Sequence, residues 1–255
     1  MKILKYKKDK QNIYKVATNK GEYKLYDDII IKNELLLKKE ISDKKWQEII
    51  KENNELKAYY DALKSISIKM RTECEIENIL KKKGYNEEEI NVTIKKLKEG
   101  KYINHEVYIE AYIHDRLALY IEGEKKIEKD LLKLGMTKKE ISSHLDKIDK
   151  SIYQDKIKKY IEKKLKTNKK SKNEFKRKTM GELINKGFNQ EDIISYLDNI
   201  EIEENTEEIK KIISKLYQKY IKKYDNNTTM LKIKNNLYQK GYTSIDIEKY
   251  LDKIV

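Results

Sequence analysis

Apolar residues return every three or four positions through most of this chain, and only the first fifty or so residues follow another rhythm. Near the C-terminus Ile209, Ile212, Ile213, Leu216, Tyr217, Tyr220 and Tyr224 form a single stripe, which predicts a helix with one buried face. Val107, Tyr108, Ile109, Ala111, Tyr112, Ile113, Leu117, Ala118 and Leu119 instead wrap nearly all round. That ring predicts a helix covered on more than one side. Before residue 55 the stretches MKILKYKK, NIYKVAT and EYKLY alternate, as short antiparallel strands joined by tight turns do. DDIIIKNELL then reads as a short helix and turn, and SDKKWQEIIKEN as a helix capped by Ser42, with Trp46, Ile49 and Ile50 docking it on the helices beyond residue 55.

One four-residue punctuation mark recurs. LKKKGYNEEEI, LLKLGMTKKEI, LINKGFNQEDI and LYQKGYTSIDI place glycine at Gly84, Gly135, Gly187 and Gly241, with spacings of 51, 52 and 54 residues. A helix that stops by turning left-handed needs a residue without a Cβ, which glycine supplies. The next residue (Tyr85, Met136, Phe188 or Tyr242) is placed to pack back on the finished helix. Asn86, Thr137, Asn189 and Thr243 come next as N-caps, and three positions later stand Glu89, Glu140, Asp192 and Asp246. The glutamates suit a reciprocal capping box, and the aspartates complement the helix dipole. Four such corners in register mark a repeat protein.

The expected fold is mainly α: an elongated, curved array of four tandem three-helix repeats behind a small β-containing cap. The cap takes residues 1–54, and the repeats take 55–100, 101–149, 150–201 and 202–255. Expected helices run at 56–67, 72–83 and 87–98, then 105–121, 124–134 and 138–148. The third set runs at 150–166, 174–186 and 190–200, and the fourth at 206–224, 228–240 and 244–254.

Residues 62–117 carry a family resemblance. An AL…IS helix is followed by Arg71-Thr72-x-x-Glu75-Ile76, then Lys-Gly-Tyr, then Tyr102-Ile103-Asn104 and a helix bearing Ala111-Tyr112-Ile113 and Arg116. In that order these resemble RecX, the bacterial regulator of the RecA recombinase, and GEYKLYDDIIIKNELLLKKEIS resembles the leader of longer members. The resemblance implies a non-enzymatic protein of tandem three-helix units. It would bind the RecA–DNA filament and limit filament extension, ATP turnover, strand exchange and LexA cleavage. His105 stands where members usually carry aspartate, and four units are counted here against the family's three.

Composition narrows the alternatives. The 255 residues include no proline and are 40% charged, which favours helices over a β-sandwich. No apolar run is long enough to span a bilayer, and MKILKYKKDK lacks a secretion signal's apolar core. A cytoplasmic protein is expected, free of membranes. The single cysteine, Cys74, excludes an internal disulfide or a cysteine-rich metal site. His105, His114 and His144 are scattered, and the glycines are helix stops, not a phosphate loop. No catalytic, metal or cofactor site is expected.

The formal charge of +14 comes almost wholly from lysine, with Arg71, Arg116 and Arg177 the only arginines. Between Lys150 and Lys178 thirteen basic residues face three acids. KKLKTNKKSKNEFKRK, at its centre, reads as a polar loop. It is either a solvated loop or an electrostatic contact with phosphates or an acidic protein surface. Candidate contacts are Lys158, Lys159, Lys163, Lys164, Lys166, Lys169, Lys170, Lys172, Lys176, Arg177 and Lys178, with Arg71 and Arg116. Such lysines position a backbone and do not read sequence. Expected partners are the RecA filament and, weakly, single- or double-stranded DNA, engaged by a monomer. A general nucleic-acid-binding repeat protein and a purely structural scaffold remain open.

Overall fold

The computed structural model describes residues 1–203 and 206–251. It opens with β1 (Ile3–Lys10), β2 (Ile13–Thr18) and β3 (Gly21–Tyr26), an antiparallel sheet in that order. Alternation puts Val16 and Leu25 on its buried face, against α1 (Asp27–Lys32) and the start of α2 (Asp43–Ile66). Ile29, Ile30, Leu35, Trp46 and Ile49 complete that core, and Tyr23 meets the Trp46 ring edge-on at 5.2 Å.

Helix α2 corrects one expectation. The helices expected to end near 54 and restart at 56 are one element of 24 residues, so the cap boundary at 54/55 falls inside a helix. The reason is Asn53. It is buried, accepts from Tyr26 N at 3.0 Å and donates to Lys24 O at 3.1 Å. What looks like a polar break is an amide clipping the sheet to a continuous helix.

The remaining helices keep the expected order. They are α3 (Glu73–Lys82), α4 (Glu87–Glu99), α5 (His105–Leu119), α6 (Glu124–Lys133) and α7 (Lys138–Leu145). Then come α8 (Ser151–Leu165), α9 (Lys172–Asn185), α10 (Gln190–Asn199), α11 (Thr206–Tyr220), α12 (Asn226–Gln239) and α13 (Ser244–Leu251). Most C-terminal ends fall one to four residues short of expectation, α4 ends one residue later, and α9 and α12 start two residues earlier. The expected continuation of the last helix to 254 lies outside the described residues. Backbone proximity divides the chain into two compact bodies, 1–111 with 132–140, and 112–131 with 141–255.

In the first body the second half of α2 joins α3 and α4 around Ala58, Ala62, Ile76, Leu80, Ile90 and Leu97. In the second body α11 to α13 enclose Ile209, Ile213, Ile233, Leu237, Ile247 and Tyr250, and α10 packs on α8 and α9. Each fully buried Leu or Ile contributes about 1.5–3 kcal/mol, so these modest cores hold through repetition. The ring of apolar residues on α5 is not fully covered. Ile109 and Ile113 are buried, but Val107 is 51% and Leu119 73% exposed. One i, i+4 pair is fully buried, Tyr108, Ala111, Tyr112 and Leu117 are half-buried, and Val107, Ala118 and Leu119 face water, as much apolar surface does in folded proteins.

The four corners are as the pattern requires. Gly84, Gly135, Gly187 and Gly241 all have φ between +85° and +92°. Tyr85 N donates to Leu80 O, Phe188 N to Leu183 O and Tyr242 N to Leu237 O, closing each helix end. Met136, Phe188 and Tyr242 are buried and Tyr85 is half-buried. Reciprocal capping boxes form at Asn86–Glu89 and Thr137–Glu140. Asp246 also closes a box with Thr243, while Asn189 caps Glu191 N and leaves Asp192 outside.

Each later corner also seats on the start of an earlier helix. A Cβ on Gly135 would meet Cys74 at 3.1 Å, beside buried Thr72. Gly187 lies against Gly123 and Lys126, where Gly123 N donates to Lys186 O at 2.9 Å and Lys125 N to Gly187 O at 3.1 Å. Around Gly241, Ser171 Oγ donates to Lys240 O at 2.6 Å and Asn173 Nδ2 to Gly241 O at 3.0 Å. The corner is thus both a helix stop and a docking knob.

Candidate nucleic-acid interface

The basic stretch 150–178 lies wholly in the second body. It is mostly helix, which corrects the polar loop expected over 163–178: only 166–171 lies outside α8 and α9. Two features extend the helices into the lysine-rich sequence. Ser171 caps α9 by accepting from Glu174 N at 3.2 Å, and Phe175 is buried one turn further on. Tyr153, Ile157 and Ile161 form the buried stripe of α8. Its opposite side consequently carries Lys158, Lys159 and Lys163 into solvent, with Lys166 just beyond the helix.

Not all thirteen cations are available to a partner. Lys156 Nζ donates to Leu117 O at 2.6 Å and Tyr120 O at 2.7 Å, capping the end of α5. Burial holds its pKa below the usual lysine value. Lys164 pairs with Glu182, which also accepts from Tyr160 Oη at 2.8 Å. That bond raises Lys164 and lowers Glu182. Lys176 pairs with Asp198 at 3.0 Å, and Lys178 with Glu174 at 2.6 Å. Lys172 stands exposed in the first turn of α9.

That leaves Lys150, Lys158, Lys159, Lys163, Lys166, Lys169, Lys170 and Arg177, all exposed and, among the described residues, in no ion pair. Sequence counting found the cluster. It could not separate cations engaged by acids or carbonyls from those left to solvent, because that depends on which turns face each other.

The two other candidate arginines are placed differently. Arg71, in the first body, pairs with Glu75 at 3.1 Å, and Glu75 also closes the Thr72 cap. Arg116, in the second, lies over the rings of Tyr112 and Tyr120 at 4.8 and 4.6 Å, with Glu122 at 3.6 Å. Stacked between two rings, it braces its helix end. His105 bridges Glu140 at 3.2 Å and Glu73 at 3.9 Å, well away from His114 in sequence and role. Gly123, overlooked in the pattern, takes the place before α6 that Thr72, Ser171 and Asp225 take before α3, α9 and α12. That register was its signal.

No group of three or more His, Cys, Asp or Glu able to hold a metal exists among the described residues. Among them, too, no helix is long and apolar enough to cross a membrane. What the arrangement of α8, α9 and the turn between them offers is positive charge on a helical face.

Similarity to known proteins falls on the same modules. Residues 58–97 match the family model described as RecX, first three-helix domain, and residues 151–197 match RecX, third three-helix domain. A protein of Bacillus cytotoxicus named Regulatory protein RecX is 30% identical over 98% of this chain and 95% of its own length. One of Oceanobacillus iheyensis with the same name is 26% identical over 96% and 93%. A crystal structure titled regulatory protein RecX shares the fold with TM-score 0.65 at 22% identity, covering 78% of this chain and 99% of its own. RecX from Lactobacillus salivarius matches with TM-score 0.52 at 27% identity over 58% and 98%.

Proposed function

This chain belongs to the RecX family of regulatory proteins, and from that premise we propose that it modulates the RecA recombinase by binding the RecA–DNA filament. The observation that carries the reading is the likeness to RecX proteins over nearly the whole chain. Acting in the cytoplasm and without catalysis of its own, it would occupy a filament state and so limit extension, ATP turnover, strand exchange and LexA cleavage. A bound regulator shifts such an equilibrium only through its different affinity for the two states. The helical modules suit that role, because the first and the fourth are each held by a buried core of their own. The unpaired cations of α8 and the turn after it would face the DNA phosphates.

The test is ssDNA-dependent ATP hydrolysis by the cognate RecA. Substoichiometric protein should slow it, and an unchanged rate at every ratio would remove the claim. A second reading is favoured by the cation surplus alone: a general nucleic-acid-binding repeat protein. Replacing Lys158, Lys159, Lys163 and Lys166 with glutamate separates the two. Filament binding in co-sedimentation persists through the other modules if the first reading holds, and disappears together with DNA binding if the second does.

A further inference from the structure

A cleft of about 240 Å³ opens where the end of α8, the 166–171 turn and the first turns of α9 meet. Lys164, Lys169, Lys170 and Lys178 line it, together with Thr167 and Asn168. One acid, Glu182, lines the cleft as well, and a second, Glu174, pairs with the lining Lys178; both are already engaged. Glu182 holds Lys164 and Tyr160, while Glu174 holds Lys178. Among the described residues Lys169 and Lys170 have no ion-pair partner. Desolvation and then the neighbouring Lys178 ammonium keep Lys170 below the usual lysine pKa. Two ammonium groups held side by side are a local cost that an anion between them would remove.

The cleft is built before any ligand arrives. Asn168 Oδ1 accepts from Lys170 N at 3.0 Å and its Nδ2 donates to Lys170 O at 2.9 Å, fixing the turn. Ser171, 1% exposed, anchors the turn's end on Lys240 O. Phe175 and Thr179 are buried in the helix that carries Lys178.

We propose that this cleft binds one phosphate group, either a phosphodiester of a nucleic-acid strand or the phosphate of a small molecule. Its volume is below the range of about 300–1,000 Å³ typical for drug-sized ligands and suits a compact anion. Lysines without arginine meet such a group as point charges, so they take phosphate without selecting a base. The strand source rests on the proposed contact between 150–178 and nucleic acid, whereas the small-molecule source does not.

The test titrates the full chain with inorganic phosphate at constant ionic strength, tracking amide shifts of residues 164–182 by NMR. A matched chloride series is the control. Saturable shifts specific to phosphate are expected, and K169Q/K170Q should weaken them roughly tenfold or more. K158Q/K159Q, on the outer face of α8, should leave them within about twofold. Binding of an oligonucleotide is then measured across a salt series. If K169Q/K170Q also flattens the salt slope, by about 0.9 for each phosphate no longer neutralised, the phosphate is that of the strand. If the slope stays while phosphate shifts vanish, the group comes from a small molecule and the cleft still stands. Shifts that do not saturate, that chloride reproduces, or that both double variants weaken equally would overturn the proposal. ATP hydrolysis by RecA is not a readout, so a failed filament hypothesis leaves this result legible.

Discussion

The first three-helix module, from the second half of α2 to α4, and the third, α8 to α10, share a scaffold and differ in what they do with charge. In the first, Lys83 meets Asp61 at 2.9 Å, Lys98 meets Glu73 at 2.5 Å and Arg71 meets Glu75 at 3.1 Å. Its exposed cations outside any ion pair among the described residues, such as Lys64, Lys82 and Lys96, are scattered along three helices. In the third, seven cations from Lys158 to Arg177 meet none. Both close at a glycine with φ near +86° and a C-terminal carbonyl caught by the aromatic residue after it. The scaffold therefore does not require the surplus. A concentrated like charge slightly opposes compactness, and the proposed contact with an anionic partner would offset that. Fold and function separate here into interior and surface.

The largest effect is expected on that surface. Reversing Lys158, Lys159, Lys163 and Lys166 to glutamate removes up to four phosphate contacts, and affinity for an oligonucleotide should drop on the order of 10³-fold at 0.1 M salt. Reversing four exposed lysines of the first module (Lys64, Lys82, Lys95 and Lys96) should cost about tenfold or less. Fluorescence anisotropy over a salt series reads both. Equal losses would mean that net charge, and not the third module, recruits nucleic acid.

The corners give the next effect, and here the two modules part for a steric reason. Around Gly84 an added Cβ meets nothing within 4 Å, whereas at Gly187 it would lie 2.3 Å from Lys126 N. Gly84→Ala should therefore cost only the left-handed backbone, roughly 1–2 kcal/mol. Gly187→Ala adds overpacking against backbone that cannot yield, for a total of about 3 kcal/mol. Gly135→Val falls between them, since Cys74 is a side-chain contact at 3.1 Å. Urea denaturation of the three variants would show this order, and identical losses would reduce the corner to a helix stop.

These corners also mark how far sequence reaches. Gly84, Gly135, Gly187 and Gly241 were legible because helix stops are local: one residue type, one backbone conformation, one register. The knob that Gly187 makes against Gly123 was not, because it joins residues more than sixty apart. For the same reason the break at 54 was misplaced, since Asn53 acts on a strand almost thirty residues earlier. The cation cluster could be counted from the sequence. That Lys156 caps α5 and Lys164 holds Glu182 could not. Local rules fix elements, while tertiary neighbours decide which charges remain free.

A smaller effect tests the capping boxes by pH. Glu140 has its pKa lowered to about 2, first by the Thr137 hydroxyl and amide and then by His105. A depressed carboxyl contributes stability above its unfolded pKa of about 4.5, and that contribution disappears as pH falls toward 2. Its side chain is 36% exposed, so solvent screening limits the contribution. Glu140→Gln should lose about 1 kcal/mol at pH 7 and nothing near pH 2. Melting curves of the variant and the parent, compared between those pH values, should converge on acidification; a constant gap would assign the loss to packing.

The smallest effect contrasts two tyrosines of the same two modules. Tyr85 donates its hydroxyl to Asp61 at 2.8 Å, and burial together with that carboxylate raises its pKa. Tyr153 is 6% exposed, its hydroxyl has no partner, and burial pushes its pKa up to about 12. Removing a bonded hydroxyl leaves Asp61 short of a donor, so Tyr85→Phe should destabilise by about 1 kcal/mol. Removing an unbonded buried one relieves a desolvated group, so Tyr153→Phe should change stability by less than about 0.5 kcal/mol, or raise it. A loss at Tyr153 matching that at Tyr85 would mean that an ordered water satisfies this hydroxyl in the cleft it shares with Lys150 and Asp192, so the third module would be as well bonded inside as the first and would differ from it in surface charge alone.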